Sequence, residues 1–76
     1  MKHDEKLIQF GERLKELRIA KGLTQLHLAD SIGSSESTIS RAEKGKHNPT
    51  LLWMYRISEA LEIDPSDLIS LQRKAL

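Results

Sequence analysis

The chain has no cysteine, two prolines and only three aromatic residues among its 76. Without thiols it forms neither disulfides nor thiolate metal sites, which fits a reducing cytoplasm. The longest apolar run, Leu51 to Tyr55, is far short of the ~20 residues that span a bilayer. Met1 to Lys6 is polar and mixed in charge with no apolar stretch behind it, so no secretory signal is expected. No segment alternates apolar and polar residues as a half-buried strand does, and none is of low complexity. His3, His27 and His47 lack metal-ligand spacing and stand near no clustered acids, so no metal is expected. Ser34, Ser35, Ser37 and Ser40 are not accompanied by a positioned His–acid pair, and capping explains them better than nucleophilic chemistry. An enzyme therefore has no supporting constellation. Neither a cofactor nor a small-molecule ligand is expected.

What is present reads as a single all-helical domain over residues 1–76, without room for a separate sensor or catalytic module. At this length roughly 60% of the unfolded chain's surface is buried on folding, so the core is small. Leu7, Phe10, Leu14 and Leu17 recur at helical spacing and predict a first helix over about Glu5 to Lys21, closed by Gly22. Thr24 opens a second helix with Leu28 and Ala29 inside, and Ile32-Gly33 ends it in a tight turn that a positive φ at glycine allows. Ser35 caps a third helix, with Thr38 three residues on, and Gly45 closes it. Thr50 caps a fourth, with Leu51, Met54, Ile57, Ser58 and Leu61 on one face. Asp64-Pro65 is a restart signal, an N-cap acid before proline, and predicts a fifth helix from Pro65 to about Lys74.

The segment from about 24 to 44 is the most specific part of the chain. Two short capped helices around a Gly-centred break form a helix-turn-helix, whose second helix enters the DNA major groove. At 100° per residue, Ser35, Ile39 and Ala42 of the third helix face inward, leaving Ser37, Ser40, Arg41 and Lys44 outside and Glu36 at the flank. Hydroxyls and a helix N-terminus suit phosphate oxygens, and an arginine fork suits guanine O6 and N7. Net charge is only +1, but Arg41, Lys44, Lys46 and His47 lie together while Glu59, Glu62, Asp64 and Asp67 form an acidic stretch. That asymmetry suits one anion-facing side. Glu43 lies beside the inward face of the third helix and Arg18 beside the apolar stripe of the first; the expectation is a pair locking the two helices together.

At these residues the chain resembles the lambda-repressor/Cro-type helix-turn-helix family of bacterial and phage transcription regulators. The resemblance runs from about Phe10 to Ile69. It rests on Leu14-Lys15-Glu16-Leu17-Arg18, Lys21-Gly22-Leu23-Thr24-Gln25, Leu28-Ala29, Ile32-Gly33, Thr38-Ile39-Ser40-Arg41, Glu43-Lys44-Gly45-Lys46, Asn48-Pro49 and Ile57 to Leu61. It implies a compact five-helix lambda-repressor-like DNA-binding domain, bacterial or phage-encoded and cytoplasmic. It also implies a backbone-phosphate contact for Gln25, base or phosphate contacts for Ser35, Glu36, Ser37 and Arg41, and a sugar-phosphate grip for the loop from Lys44 through Lys46 to Asn48. The family's Arg–Glu pair falls on Arg18 and Glu43. Three features depart from the usual pattern. Glu36 is acidic, with two roles open to it: accepting from cytosine N4, or weakening binding by repelling phosphate. Ala42 is smaller than usual, and Leu26, Leu52 and Trp53 are apolar where the family is commonly polar.

Trp53, Leu52 and Tyr55 give the fourth helix more apolar surface than its core stripe needs. Either Trp53 and Tyr55 shield the core, or they form a self-association patch with Leu68, Ile69, Leu71 and Leu76 of the fifth helix. The expected partners are double-stranded DNA and a second copy of the chain on a symmetric operator, with no membrane involved. Phage repressors and restriction–modification controllers both fit. The alternative is an antitoxin-type protein that neutralises a toxin and represses its own operon.

Overall fold

Among the described residues each helix starts on a side-chain oxygen. The computed structural model describes residues 4–70, in which α1 (Glu5–Ala20), α2 (Gln25–Ile32), α3 (Glu36–Glu43), α4 (Leu51–Leu61) and α5 (Pro65–Leu68) follow in order. Asp4, Thr24, Ser35, Thr50 and Asp64 are the N-caps, accepting from the amides of Lys6, His27, Thr38, Trp53 and Ser66. Each cap satisfies one of the first-turn donors that a helix leaves without an internal partner. Among the described residues no helix is long and apolar enough to cross a membrane.

The apolar stripes meet in one core. Phe10 and Leu14 come from α1, Leu28, Ala29 and Ile32 from α2, Ile39 and Ala42 from α3, Ile57 and Leu61 from α4, and Leu68 from α5. Ser58 is buried with them because its hydroxyl donates to the Tyr55 carbonyl at 2.8 Å, sparing it an unpaired polar group. The all-α, five-helix expectation is met, with three local corrections. First, α5 ends at Leu68 rather than continuing to about Lys74: Ile69 is its C-cap, its amide closing the last turn on the Pro65 carbonyl. Second, Leu51 is exposed, since it stands in the first turn of α4, beyond the edge of the core. Third, Ser35 is exposed and caps α3 instead of facing inward with Ile39 and Ala42.

Two contacts set the position of α3. It packs on both α1 and α2, and its C-terminal end approaches α1 to within backbone distance. A Cβ on Gly11 would lie 2.4 Å from the Ala42 carbonyl oxygen and 2.7 Å from that of Glu43. A Cβ on Gly45 would lie 2.9 Å from the Ile8 Cα. Gly33 serves a different need: at φ 70° and ψ 32° it turns the chain from α2 to α3 in a left-handed conformation that side chains disfavour. Glu62 takes the same conformation at the end of α4, φ 59°, without being glycine. The Lys21 ammonium donates to its carboxylate, and this bond together with the Lys21 charge holds Glu62 below the usual 4.5.

Candidate nucleic-acid interface

The helix-turn-helix consists of α2, the turn at Gly33 to Ser35, and α3. With Ile39, Ala42 and Glu43 buried, α3 leaves Glu36, Ser37, Arg41 and Lys44 exposed, and Ser40 half-buried at the margin. Lys46 and Asn48 are exposed in the loop that follows. None of Arg41, Lys44 and Lys46 makes an ion pair among the described residues, whose salt bridges are Arg13–Glu16, Arg18–Glu43 and Lys21–Glu62. Arg41, Lys44 and Lys46 are therefore exposed cations without an ion-pair partner among the described residues, with Glu36 the acid on the same helix face, and such cations suit a polyanion.

The α3 N-terminus carries a hydroxyl cluster. Ser35 Oγ accepts from the Thr38 amide at 3.2 Å and lies 3.2 Å from Ser37 Oγ and 2.9 Å from Thr38 Oγ1. At the other end, Arg41 Nη2 donates to the Lys46 carbonyl at 3.3 Å, closing the loop back onto the helix. His47 comes next and packs at a tilt against Trp53 of α4, ring centroids 5.0 Å apart and planes inclined at 57°. Partial burial, and secondly the Arg41 charge, lower the His47 pKa below its ordinary 6.5.

Behind this face lies a buried ionic network. Arg18 Nε donates to Glu43 Oε2 at 2.6 Å and Nη2 to Oε1 at 3.1 Å, a two-pronged contact between α1 and α3. Arg18 Nη1 donates to the Leu23 carbonyl at 2.8 Å, extending the tie to the segment entering α2. Gln25, the first residue of α2, donates from Nε2 to Glu43 Oε1 at 3.0 Å. One carboxylate thus holds α1, α2 and α3 in a common frame. The Gln25 bond has no counterpart in the sequence reading, since nothing in the spacing of residues 25 and 43 announces it.

The apolar residues expected at a self-association surface separate. Leu52, Tyr55 and Ile69 are exposed, and Trp53 is half-buried against the core. Leu68 is fully buried and is removed from that surface: as the last residue of α5 it points into the core and anchors the helix. Leu71 and Leu76 lie outside the described residues, as does His3. Leu51, Met54, Tyr55, Pro65 and Ile69 line a shallow, mostly apolar groove between α4 and α5. Among the described residues no group of three or more His, Asp or Glu is placed to hold a metal.

The model of the HTH_3 family, described as helix-turn-helix, matches residues 14–68. The chain belongs to this family. It is 33% identical over 60 residues to the HTH-type transcriptional regulator y4dJ of Sinorhizobium fredii, covering 79% of this chain and 78% of that protein. The immunity repressor of Bacillus phage phi105 is 32% identical over 59 residues, 78% of this chain but 41% of the repressor. Among solved structures, the restriction-modification controller protein C.AhdI from Aeromonas hydrophila superposes with a TM-score of 0.83 at 40% identity. That match covers 86% of this chain and 98% of the controller. The family is one of DNA-binding transcription regulators rather than enzymes, and this chain is of that class.

Proposed function

We propose that the chain regulates transcription in the cytoplasm by binding a two-fold-symmetric DNA operator as a homodimer. In this reading α3 lies in the major groove. Arg41 reads a base edge, Glu36 and Ser37 contact bases or flanking phosphates, and Ser35 and Ser40 contact the backbone. Gln25 at the start of α2, and Lys44, Lys46 and Asn48 around the loop, hold the phosphates. The carrying observation is the exposed row Glu36, Ser37, Arg41 and Lys44 on a helix whose opposite side is locked to α1 and α2.

Size favours two copies. One eight-residue helix reaches few base pairs, and a dimer on half-sites about 34 Å apart multiplies both affinity and selectivity. The surface proposed for the second copy is Leu52, Tyr55 and Ile69. A restriction–modification controller is the more specific role supported, because the controller is matched over 98% of its length and the phage repressor over 41%.

Selection of bound duplexes from a random DNA pool tests the reading. The expected product is an inverted repeat with a fixed spacing between its halves. Recovery of no common sequence overturns sequence-specific binding, and recovery of a single asymmetric half-site overturns the dimer.

A further inference from the structure

The side chain of Gln25 stands with one edge inside the protein and one edge outside. The residue opens α2 and is half-buried, and its Nε2 donates across to Glu43 Oε1 of α3 at 3.0 Å. Its amide oxygen is not among the buried atoms left without a partner, so the far edge of the amide stays open to solvent. The two ends of a glutamine amide have nearly the same shape and opposite chemistry: the nitrogen donates and the oxygen accepts. A carboxylate only accepts, so Glu43 admits the nitrogen and excludes the oxygen. The amide is thereby fixed in one of its two flips, with one N–H engaged by Glu43 and the second left over. Glu43 is itself held, since Arg18 grips both of its oxygens, at 2.6 and 3.1 Å, and the pair is buried.

We propose that Glu43 is a positioning residue for DNA binding, which holds the Gln25 amide with its spare N–H available to a phosphate oxygen. The proposal rests on the Gln25 phosphate contact of the reading above and adds what makes that contact a donor's. The phosphate oxygens that proteins contact accept hydrogen bonds, so an amide free to turn would meet them acceptor to acceptor for part of the time. Anchoring also takes away side-chain freedom before DNA arrives, so less is lost on binding. A lone carboxylate behind a phosphate site would repel the ligand, and the Arg18 guanidinium offsets that charge. The buried pair that joins α1 to α3 therefore has a second consequence on the DNA side, carried by Gln25.

The experiment measures affinity for a short mixed-sequence DNA duplex at low salt by anisotropy. It compares the unaltered chain, Gln25→Ala, the pair variant Arg18→Met with Glu43→Leu, and all three changes together, at a temperature where melting curves show each one folded. Gln25→Ala is expected to weaken binding about tenfold, the scale of one hydrogen bond to a charged group. The pair variant loses a similar factor, and adding Gln25→Ala to it costs little more. Losses that multiply overturn the proposal, because Glu43 would then act without Gln25. NMR of the two Gln25 side-chain amide protons in the unaltered chain needs no variant to fold. One proton is expected to exchange slowly in the free protein and to stay protected on adding duplex, while the other shifts. Loss of that protection in the complex overturns the proposal. A full-strength complex in Gln25→Ala overturns it too, and removes Gln25 from the DNA contacts. No binding by the unaltered chain overturns the DNA-binding reading itself.

Discussion

Gly11 of α1 faces the backbone of Ala42 in α3 so closely that a methyl group would stand 2.4 Å from the Ala42 carbonyl oxygen. The obstacle is main chain and cannot rotate away, so α3 and α1 must separate to admit any side chain. Gly11→Ala is expected to destabilise by about 1–3 kcal/mol or more, the range for overpacked cores. Gly33→Ala meets no atom within 4 Å and suffers only the left-handed backbone, ~1–2 kcal/mol. Urea unfolding of the two variants checks the order. Equal midpoints for Gly11→Ala and the unaltered chain would refute the close approach.

Removing Glu43 leaves the Arg18 guanidinium buried without its carboxylate and frees the Gln25 amide. Loss of one member of a buried pair typically costs about 3–5 kcal/mol, a large part of the ~5–15 kcal/mol that holds a domain together. Glu43→Ala should therefore lower the melting temperature sharply. The double variant Arg18→Met, Glu43→Leu should recover much of the loss, because no buried charge remains. An unchanged melting temperature for Glu43→Ala would mean that the network contributes nothing.

Arg41 and Lys46 are expected to fail differently on DNA. Arg41→Ala should lose ~1–3 kcal/mol of discrimination at one position of the operator while still binding unrelated duplexes. Lys46→Ala should weaken every duplex alike and reduce the salt slope by about one unit. Affinities on a panel of single-base operator variants at two salt concentrations separate the two behaviours. A uniform loss in Arg41→Ala would make it a phosphate contact.

Tyr55 and Leu52 project from α4 without supporting the core, so their replacement tests association without unfolding the domain. Tyr55→Lys and Leu52→Lys should each shift sedimentation at micromolar concentration toward the monomer while leaving the melting curve in place. Trp53→Lys is a poorer probe, because Trp53 also packs on the core. Unaltered sedimentation in both variants would exclude this face of α4.

Stability should also respond to His47. Because its pKa is lowered on folding from 6.5, the unfolded chain takes up the proton first as pH falls. The folded state is thus favoured fully above about 6.5 and progressively less down to the folded-state value, below which the effect levels off. His47→Gln should remove that part of the pH dependence. Thermal unfolding followed between pH 5 and pH 8 (a window set about the ordinary histidine value of ~6.5) is the check, and identical profiles would exclude it.

Local chemistry was the legible part. The helix starts at Thr24, Ser35, Thr50 and Asp64 were readable because a cap and its first turn are neighbours in sequence, and apolar spacing marked Phe10, Leu14, Leu28 and Ile57 as interior. Periodicity describes a face but not how far the core reaches along it, so it puts the exposed Leu51 on the inner face and does not reveal that Leu68 is interior. Gly11 and the Gln25–Glu43 bond depend on where α1, α2 and α3 meet, a relation between distant residues that no local pattern encodes. The exposed row on α3 follows from helical geometry with Ile39 interior; His47 acquires its neighbours Trp53 and Arg41 only through the fold.

The side-chain oxygens that open the five described helices have a kinetic consequence. Each is specified by residues two or three positions away, so the helices need little chain search to start forming. Assembly then joins short segments across brief connections, the regime in which helical domains typically reach the native state in ~microseconds to milliseconds. Folding on that timescale is far faster than synthesis of the chain, which proceeds at about 5–20 residues per second.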